Sequence, residues 1–181
     1  MDKQIFFEFN NGDKEALGKL VELYSDGLML YINNFVKDIN IAEDLMEDTF
    51  AKLLFKKCNF KGDSSFKTYL YKMGRNCALD YIKKNKKRIT ENIDDKDIAD
   101  TIQIENIVIK SDYQKQVHTC LKKLNNEYTE VLHLIYFEDL KYEEIQKVMK
   151  KTNKQIKNLA YRARQALKVE LEREGFVYEE I

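Results

Sequence analysis

Apolar residues recur at intervals of three and four along most of this chain, the spacing that gathers them on one face of an α-helix. Leu17, Leu20, Val21, Tyr24, Leu28, Tyr31 and Phe35 form one stripe. Ala42, Leu45, Met46, Thr49, Phe50, Leu53 and Leu54 form a second, and Phe66, Leu70, Met73, Cys77 and Tyr81 a third. The pattern predicts three helices sharing an N-terminal core that ends near Lys84. Asn40 followed by Glu43 reads as the start of the second helix, and Asp63 and Ser64 as caps for the third. From 86 to 110 the periodicity fades into charged and polar residues, which reads as a flexible linker with a short helical turn at most. It resumes with Val117, Cys120, Leu121 and Leu124, then Val131, Leu132, Ile135 and Tyr136. A short stripe follows at Tyr142, Ile145, Val148 and Met149, and a long one at Ile156, Leu159, Ala160, Ala163, Leu167 and Leu171. The expected fold is all-α, in two small helical domains, with no internal repeat.

Composition supports helices and removes several function classes. The 181 residues contain no proline and six glycines, so little interrupts long helices. Hydrophobic residues at 44% are enough to build cores. The N-terminal stretch MDKQIFFEFNNGDKEA lacks the basic flank and apolar run of a secretion signal. No apolar run approaches the roughly 18 residues that span a bilayer. The expectation is a cytoplasmic protein with no membrane insertion. Cys58, Cys77 and Cys120 are scattered, and His118 and His133 do not complete metal-ligand spacing with them. Buried free thiols are the expectation, with no metal and no cofactor. Paired catalytic acids, a phosphate loop and a Ser/His/Asp arrangement are all missing, so no enzyme and no small-molecule substrate are expected.

Charge changes the picture through its distribution. Lys and Arg balance Asp and Glu, 31 against 31. Yet Lys67 to Arg88 carries Lys67, Lys72, Arg75, Lys83, Lys84, Lys86, Lys87 and Arg88 against Asp80 alone. Lys150 to Lys168 carries seven basic residues and no acid. Glu91 to Glu105, between them, is acidic. Two basic patches suggest two points of phosphate contact, although solvated helix faces fit the charges equally. The second patch falls on a recognisable motif. Lys150, Lys151 and Thr152 separate the short helix from the long one, the size of a helix-turn-helix connection. Thr152 and Gln155 make a capping box. The long helix hides Ile156, Leu159, Ala160 and Ala163 and turns Lys154, Lys157, Asn158, Tyr161, Arg162 and Arg164 outward. In such a motif the start of the second helix enters the major groove, where Lys and Arg suit guanine and phosphate, and Asn suits adenine. A plain helical hairpin with a basic face remains the alternative.

LNNEYTEVLHLIYFEDLKYEEIQKVMKKTNKQIKNLAYRARQAL resembles region 4 of bacterial sigma factors of the small, two-domain extracytoplasmic-function (ECF) kind. The resemblance implies a reader of the promoter −35 element. Three positions depart from the family pattern. Lys141 stands where a capping serine is usual, Gln146 where alanine is usual, and Lys150 where the turn usually has glycine. If the turn is left-handed there, a side chain costs about 1–2 kcal/mol.

The first half carries the matching resemblance. AEDLMEDTFAKLLFK, residues 42–56, resembles region 2.2, which in the family docks on the clamp helices of core RNA polymerase. Glu43, Asp44, Glu47 and Asp48 then form a polar rim around the apolar anchors Leu45, Phe50 and Leu53. A solvated acidic face is the simpler reading of that helix. NFKGDSSFKTYLYKMGRNCALDYIKK, residues 59–84, closely resembles regions 2.3 and 2.4. The resemblance implies that Phe60, Lys61, Gly62, Asp63 and Ser64 form a pocket for a base flipped out of the non-template strand. Tyr69, Lys72, Arg75, Asn76 and Asp80 of the following helix would read the rest of the −10 element. Stacking on aromatics and hydrogen bonds to exposed edges suit a single-stranded base. GDKEALGKLVELY also looks like the first family helix.

These readings combine into a sigma factor with region 2 at 1–88, a linker at 89–112 and region 4 at 113–181. Implied partners are core RNA polymerase (clamp helices and flap), promoter DNA and an anti-sigma factor. A stand-alone helix-turn-helix regulator is the rival, and a decoy without DNA activity a third possibility. Neither accounts for both residues 42–84 and the basic second helix.

Overall fold

The computed structural model describes residues 2–10, 13–55, 64–91 and 112–175, and every regular element among them is a helix. In chain order these are α1 (Asp2–Asn10), α2 (Lys14–Val36), α3 (Ile39–Phe55), α4 (Phe66–Glu91), α5 (Asp112–Lys123), α6 (Asn126–Tyr136), α7 (Tyr142–Met149) and α8 (Asn153–Arg173). They fall into two compact units, α1 to α4 in the first, and α5, α6, α8 and the start of α7 in the second. The expected Phe60, Lys61, Gly62 and Asp63 of the loop, the linker core and Cys58 lie outside the described residues.

In the first unit α2 packs on α1, α3 and α4, and α3 packs on α4. The three sequence stripes meet: Leu20, Leu28, Tyr31 and Ile32 of α2, Ala42 and Leu53 of α3, and Phe66, Leu70, Tyr71 and Ala78 of α4 are all buried. Aromatic pairs tie the helices, with ring centroids 5.2 Å apart for Tyr31 and Tyr71 and 5.6 Å for Tyr24 and Phe66. The sequence reading missed α1, whose signal is only Ile5, Phe6 and Phe9. Phe6 is its anchor, buried with its ring 4.8 Å from that of Phe66.

Caps explain where the helices begin. Asp13 caps α2 by accepting from the backbone N–H groups of Glu15 and Ala16. The start of α3 corrects the expectation at Asn40: Asp38 accepts from the N–H groups of Asn40 and Ile41, so the helix opens before Asn40. An acidic oxygen on two free N–H groups is the better cap. The cap of α4 also moves. Ser65, not Ser64, accepts from the Thr68 N–H at 3.2 Å and pairs with its hydroxyl at 2.7 Å, and Asp63 lies outside the described residues. At its other end α4 runs to Glu91, beyond Lys84, because KKNKKRITE contains neither proline nor glycine.

Gly74 sets the approach of α4 to α2. A Cβ there would lie 2.7 Å from Cδ1 of the buried Leu28. Gly74→Val should therefore lower the unfolding free energy by about 1–3 kcal/mol in urea titrations, the usual cost of overpacking.

In the second unit α5 and α6 pack on α8. Cys120, Leu121, Val131, Leu132, Leu134, Ile156, Ala160 and Ala163 are buried there. Tyr136 departs from its expected place in the α6 stripe and is exposed at the end of the helix. Beyond it the chain turns back through a buried pair, with His133 Nε2 3.2 Å from Glu138 Oε1 and the His133 ring stacked on Phe137. Cys77 and Cys120 are buried free thiols, and burial pushes the Cys120 thiol above its ordinary range.

Candidate polymerase and nucleic-acid interfaces

The helix-turn-helix forms as the spacing predicts. Thr152 and Gln155 close a reciprocal capping box: Thr152 N–H donates to Gln155 Oε1 at 2.8 Å, and Gln155 N–H to Thr152 Oγ1 at 3.3 Å. The turn before it is left-handed at Lys150, with φ 54°. At the start of α7 the box is half made. The Glu144 carboxylate accepts from the Lys141 N–H at 3.1 Å, but a lysine side chain has no oxygen to return the bond. Both departures thus fall at backbone positions that favour other residues. Lys150→Gly and Lys141→Ser should each raise stability by about 1 kcal/mol, seen as a higher thermal midpoint.

With about 100° of rotation per residue, Lys154, Asn158, Tyr161 and Arg162 share one face of α8, and Lys157 flanks it. All five are exposed. Arg164 does not join them and leaves the predicted −35 set. It is half-buried, and its Nη1 donates to the Tyr142 hydroxyl at 3.4 Å. That bond, with a second to the Tyr136 hydroxyl, holds the guanidinium pKa above its ordinary value. Arg164 instead lines an open, mainly apolar groove of about 430 Å³ with Tyr136, Leu167, Lys168 and Leu171. The reason is its register: it lies nearer the buried Ile156–Ala160–Ala163 side than the Asn158 side.

On α4, Tyr69, Lys72, Asn76 and Asp80 form one stripe flanking the buried Phe66, Leu70, Gly74 and Cys77, half-buried at the first three and exposed at Asp80. Arg75 stands to one side of it, half-exposed. Leu79 is also exposed within the stripe. Ser64, the described end of the expected pocket loop, is half-buried just before α4.

The α3 anchors require the largest correction. Leu45, Phe50 and Leu53 are 8%, 5% and 1% exposed, so they belong to the core of their own unit and are not available to a partner. An amphipathic helix has one apolar stripe, and in a small helical unit the neighbouring helices consume it. What α3 shows outward is Asp44, Glu47 and Asp48, with Leu54 beside them at 51% exposure. Leu54 thus departs from the inward stripe that the apolar spacing assigns it to. The spacing also passes over Lys52, whose Nζ donates to Cys77 Sγ across the α3–α4 contact at 3.1 Å.

Among the described residues no group of acidic, histidine and cysteine side chains is arranged to hold a metal ion, and no helix is long and apolar enough to cross a membrane.

Residues 20–88 match the family described as Sigma-70 region 2, and residues 114–167 match Sigma-70, region 4. The RNA polymerase sigma-H factor of Pseudomonas aeruginosa is 28% identical over 176 residues, covering 92% of this chain and 91% of that protein. The ECF RNA polymerase sigma factor SigM of Bacillus subtilis is 29% identical over 157 residues, covering 84% of this chain and 93% of that protein. Two solved structures share the fold at 21% identity. CnrH, in complex with the cytosolic domain of CnrY, has a TM-score of 0.69 and covers 95% of this chain and 97% of its own. The sigma factor RpoE of Bartonella quintana, in complex with the anti-sigma factor NepR, has a TM-score of 0.67 and covers 86% and 96%. The inward stripes, the capped helix-turn-helix and both matched regions, in that order along the chain, agree: this chain belongs to the sigma-70 family, as an extracytoplasmic-function RNA polymerase sigma factor.

Proposed function

We propose that the two units divide promoter recognition between them, as a region 2 domain at 1–88 and a region 4 domain at 113–181 joined by a linker at 89–112. The first unit binds the clamp helices of core polymerase through Asp44, Glu47 and Asp48 of α3, with Leu54 as the apolar contact in place of the buried anchors. Its α4 meets the −10 element through Tyr69, Lys72, Asn76 and Asp80, with Arg75 at the side. The loop residues Phe60, Lys61, Gly62, Asp63 and Ser64 take the flipped base. The second unit binds the polymerase flap and sets the first half of α8 in the −35 major groove through Lys154, Lys157, Asn158, Tyr161 and Arg162.

The chain is proposed to act in the cytoplasm, as an initiation factor and not as an enzyme in itself. An anti-sigma factor is the proposed inhibitory partner, able to cover the faces that polymerase uses. The observation that carries this reading is the presence of two polar stripes on α4 and α8, each set by a buried stripe beside it, within the two matched regions.

The test is transcription by purified core polymerase over a promoter library randomised at both elements. Adding the chain should give discrete RNA 5′ ends, and replacing residues 59–65 with a relative's loop should change preference at a single −10 base. Preference at −35 should stay as it was. A stand-alone regulator would bind duplex without core and give no new RNA ends, and that result would overturn the proposal.

A further inference from the structure

Lys52 belongs to neither face drawn so far. It is an exposed residue on the polymerase-facing helix α3, but its side chain leans onto α4, where Nζ donates to Cys77 Sγ at 3.1 Å. Cys77 is buried and follows Asn76 directly in the chain. On the helical wheel it lies within the buried side of α4, with Asp80, three residues on, at the near edge of the stripe of Tyr69, Lys72 and Asn76. The contact holds the ammonium against α4 on its Asp80 side, where the Asp80 and Asp48 charges act on it.

Three properties of this position point to an anionic ligand. Sulfur is a weak acceptor that occupies one of the donors of an ammonium group, and the others remain for a stronger acceptor. The side chain is exposed, so those donors are accessible to a partner. Asp80, within the stripe, carries a charge that repels phosphate, and a cation beside it offsets that repulsion. The same cation keeps its proton: the Cys77 contact first, then the charges of Asp48 and Asp80, raise the Lys52 pKa above its ordinary value.

We propose that Lys52 is a further promoter-binding residue, its ammonium held against α4 beside Asp80 to contact a backbone phosphate of the −10 strand. This rests on the −10 assignment of the first unit. Contacts at a rim to phosphate position the strand, and contacts from the centre of the stripe specify the base. Lys52 accordingly adds affinity without adding base preference.

The test compares holoenzymes reconstituted with the wild-type chain, Lys52→Met and Lys52→Arg. Methionine keeps the apolar stem and removes the charge, while arginine keeps the charge. Binding to a forked promoter with a single-stranded −10 segment is measured over a series of KCl concentrations, alongside affinity for core and the urea unfolding midpoint. For Lys52→Met the slope of log affinity against log salt should fall by about 0.7, the value for one phosphate on a single strand. Affinity at low salt should fall roughly 3- to 10-fold, and base preference, core affinity and the unfolding midpoint should not move. Lys52→Arg should bind as the wild type does. An unchanged slope, a loss confined to core affinity, or an arginine variant as weak as the methionine one would overturn the proposal. If the wild-type holoenzyme shows no −10 preference at all, the assignment of the first unit fails and Lys52 falls with it. A preserved preference with an unchanged slope removes Lys52 alone.

Discussion

Leu53→Glu should unfold the first unit, and its loss of polymerase binding should be a consequence of that unfolding. Leu53 is 1% exposed and shares the core with Leu28, Ile32 and Leu70. Removing a buried leucine costs about 2–5 kcal/mol in its own right, and an ionised carboxylate left without a partner in the same place adds several more. That sum approaches the roughly 5–15 kcal/mol that holds a whole domain together. Leu54→Glu, one residue on, makes the contrast, because Leu54 is half-exposed. It should leave helicity and the thermal midpoint near wild type and lower affinity for core polymerase. Asp48→Lys should do the same, since Asp48 is exposed on that face. Circular dichroism melts and a core-binding titration on the same samples separate the two cases. A Leu53→Glu protein that melts like the wild type yet fails to bind core would return Leu53 to the docking face.

The difference between Leu53 and Leu54 shows where sequence reasoning stops. The period of the apolar stripe fixes which side of a helix is buried, and it placed Leu20, Leu28, Phe66, Leu70, Ile156 and Ala160 correctly. It does not say whether the residues at a stripe's centre face the chain's own core or a partner, because both surfaces are apolar. Only the neighbouring helices decide that. Arg164 failed for a related reason: its charge drew it into the basic set, but its register on α8 sends it toward Tyr142 and Tyr136. Capping was legible where one acceptor stood alone, as at Thr152, and misplaced where several stood together, as with Asp38 and Asn40 or Ser64 and Ser65. The left-handed turn at Lys150 was legible through the resemblance, although no local signal marks it. Lys52 carried no signal at all, since its role depends on a residue 25 positions away that folding brings to it.

Arg162 and Arg164 are two positions apart on α8, and substituting them should give opposite results. Arg162 is exposed on the face that carries Asn158 and Tyr161. If its guanidinium meets a guanine edge, Arg162→Ala should weaken binding at the preferred −35 sequence by about 1–3 kcal/mol, or roughly 5- to 150-fold. The preference at that one base should relax with it, and stability should barely change, because an exposed side chain with little packing contributes little to folding. Arg164→Ala should behave the other way. It removes a charged donor from two tyrosine hydroxyls, a loss worth about 1–2 kcal/mol of stability at a half-exposed position. Base preference should remain, because the lost contacts lie inside the unit and hold α8 against α6 and the start of α7. The measurements are thermal unfolding of both variants and holoenzyme binding to −35 duplexes carrying each base in turn. Relaxed base preference in Arg164→Ala, with Arg162→Ala binding every sequence as the wild type does, would show that the opposite face of α8 enters the groove.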